Sequence, residues 1–178
     1  MRAPLFTFHA VDRRHWRDMD KFFSARGSPN WCWCMVWRKG ERKGKAERRK
    51  SLEAYVERGE PIGILAYQDG APVAWCSIGP RASYRALGGT AAADETSAWS
   101  IVCFFAAREV RGADISAKLL KAAIAEARQH GAKIVEAYPV DEDSASYRYM
   151  GQVRLFERAG FKHVGMAGSK RHVMRKVV

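Results

Sequence analysis

Three groups of residues in this sequence have types and spacings that could do chemistry. The first is the run Val110–Leu120 (VRGADISAKLL), which follows an apolar stretch and opens an amphipathic one. A helix beginning there exposes unpaired backbone N–H groups at the positive end of its dipole, where an anion is stabilised. Arg111 adds a full positive charge, and Gly112 lets the backbone come close to a ligand. A phosphate site and an ordinary strand-to-helix turn fit these letters equally well. The second group is carboxylate. Glu136 interrupts the apolar run Ile134, Val135, Ala137 and so calls for a charged partner, a solvent-facing position or work as a general base. Asp141 and Glu142 follow a few residues later as weaker bases. The third is the phenol pair Tyr147 and Tyr149, either able to pass a proton to a leaving group, with loop packing as the competing reading.

Other reactive residues point away from chemistry. Cys32 and Cys34 form a C-x-C pair with no second ligand pair, and His9, His15, His130, His163 and His172 do not sit at ligand spacing. No metal is expected. Aromatic packing explains Trp31–Trp37 (WCWCMVW) more simply. Cys76 and Cys103 lie in apolar runs, where a thiol behaves as a small hydrophobe. The N-terminus reads as neither a signal peptide nor an apolar span, so the expectation is a cytoplasmic chain with reduced thiols and no membrane.

The elements that must position these groups follow from periodicity. Leu5–Ala10 reads as a strand, and Asp12 caps a helix running to Ala25 with Trp16, Met19, Phe22 and Phe23 at helical spacing. A second helix spans Lys45–Arg58 and stops at Gly59 before Pro61. Ile62–Gln68 and Pro72–Ile78 form a hairpin about Asp69-Gly70. Residues Arg81–Thr96 read as a loop. Ala98–Ala106 (AWSIVCFFA) is apolar almost throughout, as a strand buried on both faces is. The helix Gly112–His130 and the strand Lys133–Pro139 complete a β-α-β unit with a parallel pair. A helix over Gly151–Ala159 and two strands about Ala167-Gly168-Ser169 close the chain. The order β-α-α-β-β-β-α-β-α-β-β is an α/β (α+β) mixed sheet with helices on both faces, in a single domain of 178 residues.

That order, with CFFAAREVRGADISAKLL and the later LFERAGF, resembles the GNAT superfamily of acetyltransferases. The likeness is good over Ile62–Phe161 and holds in outline before it. The chain also looks like a GNAT subgroup with an early Cys-Trp-Cys-Met segment and a GILAY…DG…P-V-x-W hairpin, here Cys32–Met35 and Gly63–Trp75. The resemblance implies an N-acetyltransferase in which an unidentified amine attacks acetyl-CoA directly. It further implies that backbone groups of Phe104, Phe105 and Ala106 hold the pantetheine arm and polarise the thioester. Arg111, Gly112, Ala113, Asp114, Ile115, Ser116 and Ala117 then hold the pyrophosphate.

Three letters depart from the family pattern. Asp114 and Ser116 stand at its two glycine-type positions, and Phe156 stands where its Tyr protonates the thiolate, which leaves that role to Tyr149 or Tyr147. A carboxylate about 4 Å from a phosphate charge costs on the order of 4 kcal/mol at an effective dielectric near 20. The rival reading is therefore a degenerate GNAT-fold domain that binds CoA or a partner without catalysis. The charge of +12 attracts polyanions, yet no nucleic-acid reading motif is present, so nucleic acid ranks below a small-molecule or peptide amine as partner. A homodimer stays open.

Overall fold

A computed structural model describes residues 5–89, 95–112 and 114–178. The strands β1 (Phe6–Ala10), β2 (Gly63–Gln68), β3 (Ala71–Pro80), β4 (Ala98–Ala106), β5 (Ile134–Ala137), β6 (Lys162–Ala167) and β7 (Arg171–Val177) form one seven-stranded sheet in the order β1-β2-β3-β4-β5-β7-β6. Four helices join them: α1 (Trp16–Ser24), α2 (Lys45–Glu57), α3 (Ile115–Gln129) and α4 (Val153–Arg158). Elements follow the order expected from periodicity, and β4 pairs parallel to β5.

The two-residue repeat of the strands sorts side chains into two cores. Leu65, Tyr67 and Trp75 point toward α1 and α2, where they meet Met19, Phe22, Phe23, Leu52 and Val56. Ile64, Ala66, Ala74 and Cys76 point the other way, toward Leu119, Leu120, Ala123 and Ile124 of α3 and Phe156 of α4. Both faces are therefore dry, which explains why β2 and β4 read as continuous apolar runs.

Several ends shift by a residue or two from expectation, and two differences at helix starts have a clear local reason. Asp12 does not cap α1. Its Oδ1 accepts the backbone N–H of Arg14 at 2.9 Å and of His15 at 3.2 Å, closing a turn before the helix begins at Trp16. Helix α3 starts at Ile115 rather than Gly112, because Gly112 (φ 85°) and Asp114 (φ 54°) are both left-handed and cannot join a right-handed helix. The stretch read as a loop after β3 carries one-turn helices at Arg81–Ser83 and Glu95–Ser97.

β4 contains the irregularity that shapes the site. Ser77 pairs with Cys103 but Ile78 pairs with Ile101, so Val102 is an extra residue on β4, a β-bulge. The side chains record it: Trp99 and Ile101 face α3, Val102 and Cys103 both face α1, and alternation resumes with Phe104 toward α3 and Phe105 toward α1. β5 is only four residues long and its pairing with β4 ends at Ile101↔Ala137. Beyond the bulge the two strands part company.

Candidate active site

The parting of β4 from β5 leaves one edge of β4 without that neighbour over Val102–Ala106. Ala107 donates its N–H to Val73 O at 2.8 Å, which fixes the phase of the β3–β4 ladder. Antiparallel pairing alternates, so the polar groups of Phe105 aim at β3 while those of Phe104 and Ala106 aim at the open edge. A one-turn helix at Arg148–Met150 packs against this half of β4, anchored by Val140 N–H to Gly151 O at 3.0 Å. The open edge thus gives onto a cleft bounded by β4, α3, this turn and α4.

The cleft has a volume of about 1310 Å³. Phe104, Phe105, Ala106, Arg111, Gly112, Asp114, Ile115, Ser116, Ala117 and Tyr149 all line it. Ala113 lies outside the described residues. The cleft also gathers cations that sequence reasoning did not single out. Lys121 and Arg128 from α3, Arg154 and Arg158 from α4, Arg148 and Lys176 join Arg111, against the carboxylates of Asp114 and Glu142. Seven cationic side chains facing two carboxylates give a positive potential suited to a polyanion. A signal for part of this was present: Lys121 and Arg128 lie seven apart, on the α3 face that carries the small Ala117 and Ala125.

Individual contacts set the local chemistry. Arg111 Nε donates to Ala106 O at 3.0 Å, tying the loop before α3 to the open edge of β4. Asp114 makes no side-chain cap bond; it is exposed and holds the left-handed conformation that glycine adopts freely. The Tyr149 hydroxyl accepts a hydrogen bond from Trp37 Nε1 at 3.2 Å, which leaves its own proton available to the cleft. Burial pushes the Tyr149 phenol up from its ordinary value, with the Trp37 bond pulling the other way. Tyr147 is in the left-handed region (φ 58°), and its ring packs against Trp37 and over the Arg171 guanidinium rather than along the cleft. Phe156 is wholly buried, edge-on to Phe104 and Phe161.

Glu136 is brought elsewhere. It is 3% exposed on the α1 and α2 side of β5, with Oε2 accepting from Arg175 Nε at 2.7 Å and Oε1 lying 3.9 Å from Arg81 Nε. It does not line the cleft. The partner that its sequence setting called for is therefore a pair of guanidiniums. Asp141 contacts His172 Nε2 at 3.0 Å, and Glu142 lies 3.8 Å from Arg154. Of the tryptophans, Trp33 is core, packed on Phe23 and Trp16, whereas Trp31 is exposed and Trp37 sits between the cleft and Arg171. All four cysteines are free and buried, and burial pushes the Cys32 thiol up to about 12. Among the described residues no cluster of His, Cys, Asp and Glu could hold a metal ion, and no helix is long and apolar enough to cross a membrane.

Comparison with protein families matches residues 11–161 to the acetyltransferase (GNAT) family. No curated protein sequence matches the chain. Among solved structures, an aminoglycoside acetyltransferase in complex with coenzyme A superposes with a TM-score of 0.63 at 13% identity, covering 97% of this chain and 95% of that one. PaiA N-acetyltransferase from Thermoplasma acidophilum, in complex with coenzyme A, gives 0.60 at 13% identity over 98% and 99% of the two chains. The yncA protein from Salmonella typhimurium with its cofactor acetyl-CoA gives 0.57 at 16% identity over 97% and 93%. At such identities the likeness speaks for the fold alone.

Proposed function

Since the chain belongs to the GNAT family of acetyltransferases, we propose that it moves an acetyl group from acetyl-CoA to a primary amine by direct attack. The observation that carries this reading is the open edge of β4, created by the Val102 bulge and facing a cleft rich in cations. Bound acetyl-CoA supplies an activated acetyl thioester. The N–H groups at Phe104 and Ala106 are free of β5 and act as donors to the pantetheine arm and the thioester carbonyl oxygen, where negative charge develops. Arg111, Gly112, Asp114, Ile115, Ser116 and Ala117 form the pyrophosphate cradle. Lys121, Arg128 and Arg158 supply further positive charge along it.

Proton transfer falls to few groups. Attack by the amine nitrogen on the thioester carbon breaks the C–S bond, and the departing sulfur takes a proton from the Tyr149 hydroxyl. Tyr149 is preferred over Tyr147 because it lines the cleft and has its oxygen fixed by Trp37. Its raised pKa keeps the phenol protonated before attack but makes it a weaker acid toward the thiolate than an unshifted tyrosine. Glu136 spends its charge on Arg175 and Arg81, so the amine's proton leaves to water. We further read the chain as one cytoplasmic domain of the subgroup marked by Cys32–Met35, acting on a small-molecule or peptide amine.

Two measurements test the proposal. Saturating acetyl-CoA at about 100 times its Kd stabilises the protein by about 2.7 kcal/mol in a thermal-shift titration, and absence of any shift at millimolar acetyl-CoA refutes it. Release of CoA thiol across a panel of amines then separates the enzyme from a CoA-binding domain without catalysis. That second reading draws on the buried Phe156 and the cleft carboxylate of Asp114.

A further inference from the structure

A second groove, of about 460 Å³, opens where the linker between α1 and α2 meets the segment after β3. Arg42, Lys43 and Arg48 line it from the linker and the start of α2, and Arg85 from a segment more than thirty residues away in sequence. Folding has brought four cations around one concavity. Their hydrogen bonds go to backbone carbonyls, which carry no net charge to cancel theirs: Arg42 Nη1 to Val36 O at 3.3 Å, Arg48 Nη1 to Trp31 O, and Arg85 Nε to Arg38 O at 3.2 Å. Glu41 is the carboxylate of the lining. It accepts the backbone N–H groups of its own neighbours Arg42 and Lys43, at 2.8 and 3.1 Å. Trp31, 62% exposed, forms the apolar rim.

Four cations against the single carboxylate of Glu41 leave the concavity with a positive potential, which a multivalent anion entering it would neutralise. Three of the four cations are arginine, whose planar fork matches the two oxygens of a phosphate or carboxylate. The groove and the cleft share no lining residue, and hydrogen bonds connect their walls. Arg85 donates its backbone N–H to Trp37 O at 2.9 Å, and the Trp37 indole donates to the Tyr149 hydroxyl. Trp37 therefore ties one wall of the groove to the phenol assigned to the leaving thiolate.

We infer that this groove holds the anionic part of the acceptor, so the amine acetylated by the protein belongs to a molecule bearing clustered phosphate or carboxylate oxygens. The assignment to the acceptor rests on the acetyl-transfer reading, whereas anion binding by the groove does not. In the first arm, tripolyphosphate is titrated into protein saturated with CoA, so that the cleft is occupied. Trp31 emission changes saturably, the change is lost in Trp31→Phe, and Arg85→Ala weakens binding at least fivefold. Lys43→Glu, an exposed substitution that tests the same field without touching Arg85, does likewise. Equal tripolyphosphate affinity in the parent and in both charge variants overturns the site.

In the second arm, acetyl transfer is compared between peptide amines Ala-Gly-Gly-Gly and Ala-Glu-Glu-Glu and an amine carrying a phosphate ester. The acidic acceptors are preferred at least tenfold in kcat/KM, chiefly through KM, and Arg85→Ala and Lys43→Glu collapse that preference. The better of the two acidic acceptors identifies the source of the oxygens. Binding of tripolyphosphate with no preference among acceptors overturns the assignment to the acceptor. Failure to acetylate any amine overturns the enzyme reading instead, while the first arm still decides the groove.

Discussion

Asp114 offers the sharpest test of the cleft, because its charge and its backbone conformation can be varied separately. Its carboxylate lines the cleft at the start of α3, and its φ of 54° lies where glycine is at ease. A phosphate charge about 4 Å away is opposed by about 4 kcal/mol at an effective dielectric of 20 and by about 1 kcal/mol in bulk water. Because Asp114 is exposed, the lower part of that range applies, about 1–2 kcal/mol, or about 5- to 30-fold in Kd. Asp114→Asn removes the charge and keeps a residue that tolerates left-handed backbone, so it captures this gain in full. Asp114→Gly captures it too. Relief of left-handed strain, about 1 kcal/mol, is offset by the similar entropic cost of glycine in the unfolded chain.

Both variants give up about 0.3–1 kcal/mol of helix-dipole stabilisation, so the unliganded protein melts slightly lower while its complex is tighter. Asp114→Ala shares the binding gain but pays for positive φ, losing about 1 kcal/mol more in the unliganded state. Calorimetric titration of CoA at low and high salt, alongside thermal melts, measures all three variants. The gain shrinks at high salt, as a charge effect must. If Asp114→Asn and Asp114→Gly bind CoA no tighter than the parent, no phosphate lies near this carboxylate and the pyrophosphate cradle is wrongly assigned.

Four further outcomes are expected. Tyr149→Phe lowers kcat about 10- to 100-fold with little change in KM for acetyl-CoA, and steady-state kinetics showing unchanged kcat removes it as the thiolate's acid. Gly151→Ala costs about 2–3 kcal/mol in denaturant unfolding, because φ is 90° and a Cβ there would stand 2.8 Å from the Phe156 ring and 3.4 Å from that of Phe104. Glu136→Gln leaves Arg175 and Arg81 without their carboxylate and costs about 2–4 kcal/mol; a fall in kcat without a fall in stability would instead make Glu136 the base. The Arg49 hydrogen bond lowers the Asp20 pKa below its ordinary 3.8. The ion pair's contribution is thus complete above about pH 4 and lost as pH falls toward the folded pKa. With both side chains about a third exposed it amounts to less than about 1 kcal/mol, so melts of the parent and Asp20→Asn converge in acid.

Much of the fold was legible in the letters because burial leaves a local signature. The unbroken apolar run Ala98–Ala106, the helical stripe Ile115, Leu119, Leu120, Ala123, Ile124 and Ala127, and the Asp69-Gly70 turn each announce an element through spacing alone. Their order then restricts the sheet to few arrangements, and the family resemblance pointed to the helix start at Arg111–Ser116. What tertiary structure decided was everything that depends on which distant residues become neighbours. Nothing in AWSIVCFFA announces that Val102 is the extra residue, because a bulge is a mismatch in count between two strands and appears only when β3 is laid beside β4.

Glu136 illustrates the same limit. The sequence marked it as a carboxylate in need of a partner, and only the pairing of β5 with β7 supplied Arg175. In the sequence Arg38 is one of many cations in the stretch Arg38–Lys50 (RKGERKGKAERRK). It is in fact fully buried beneath Tyr55 and Tyr84, donating to Ile62 O and the Tyr84 hydroxyl, because a bridge to Tyr84 draws it inward. Arg85 belonged to no recognisable motif until the chain folded it against Arg42, Lys43 and Arg48. Hydrophobic periodicity is a property of neighbours in sequence, whereas charge acts through space, so the sequence determined the scaffold and the folded chain determined which charges meet.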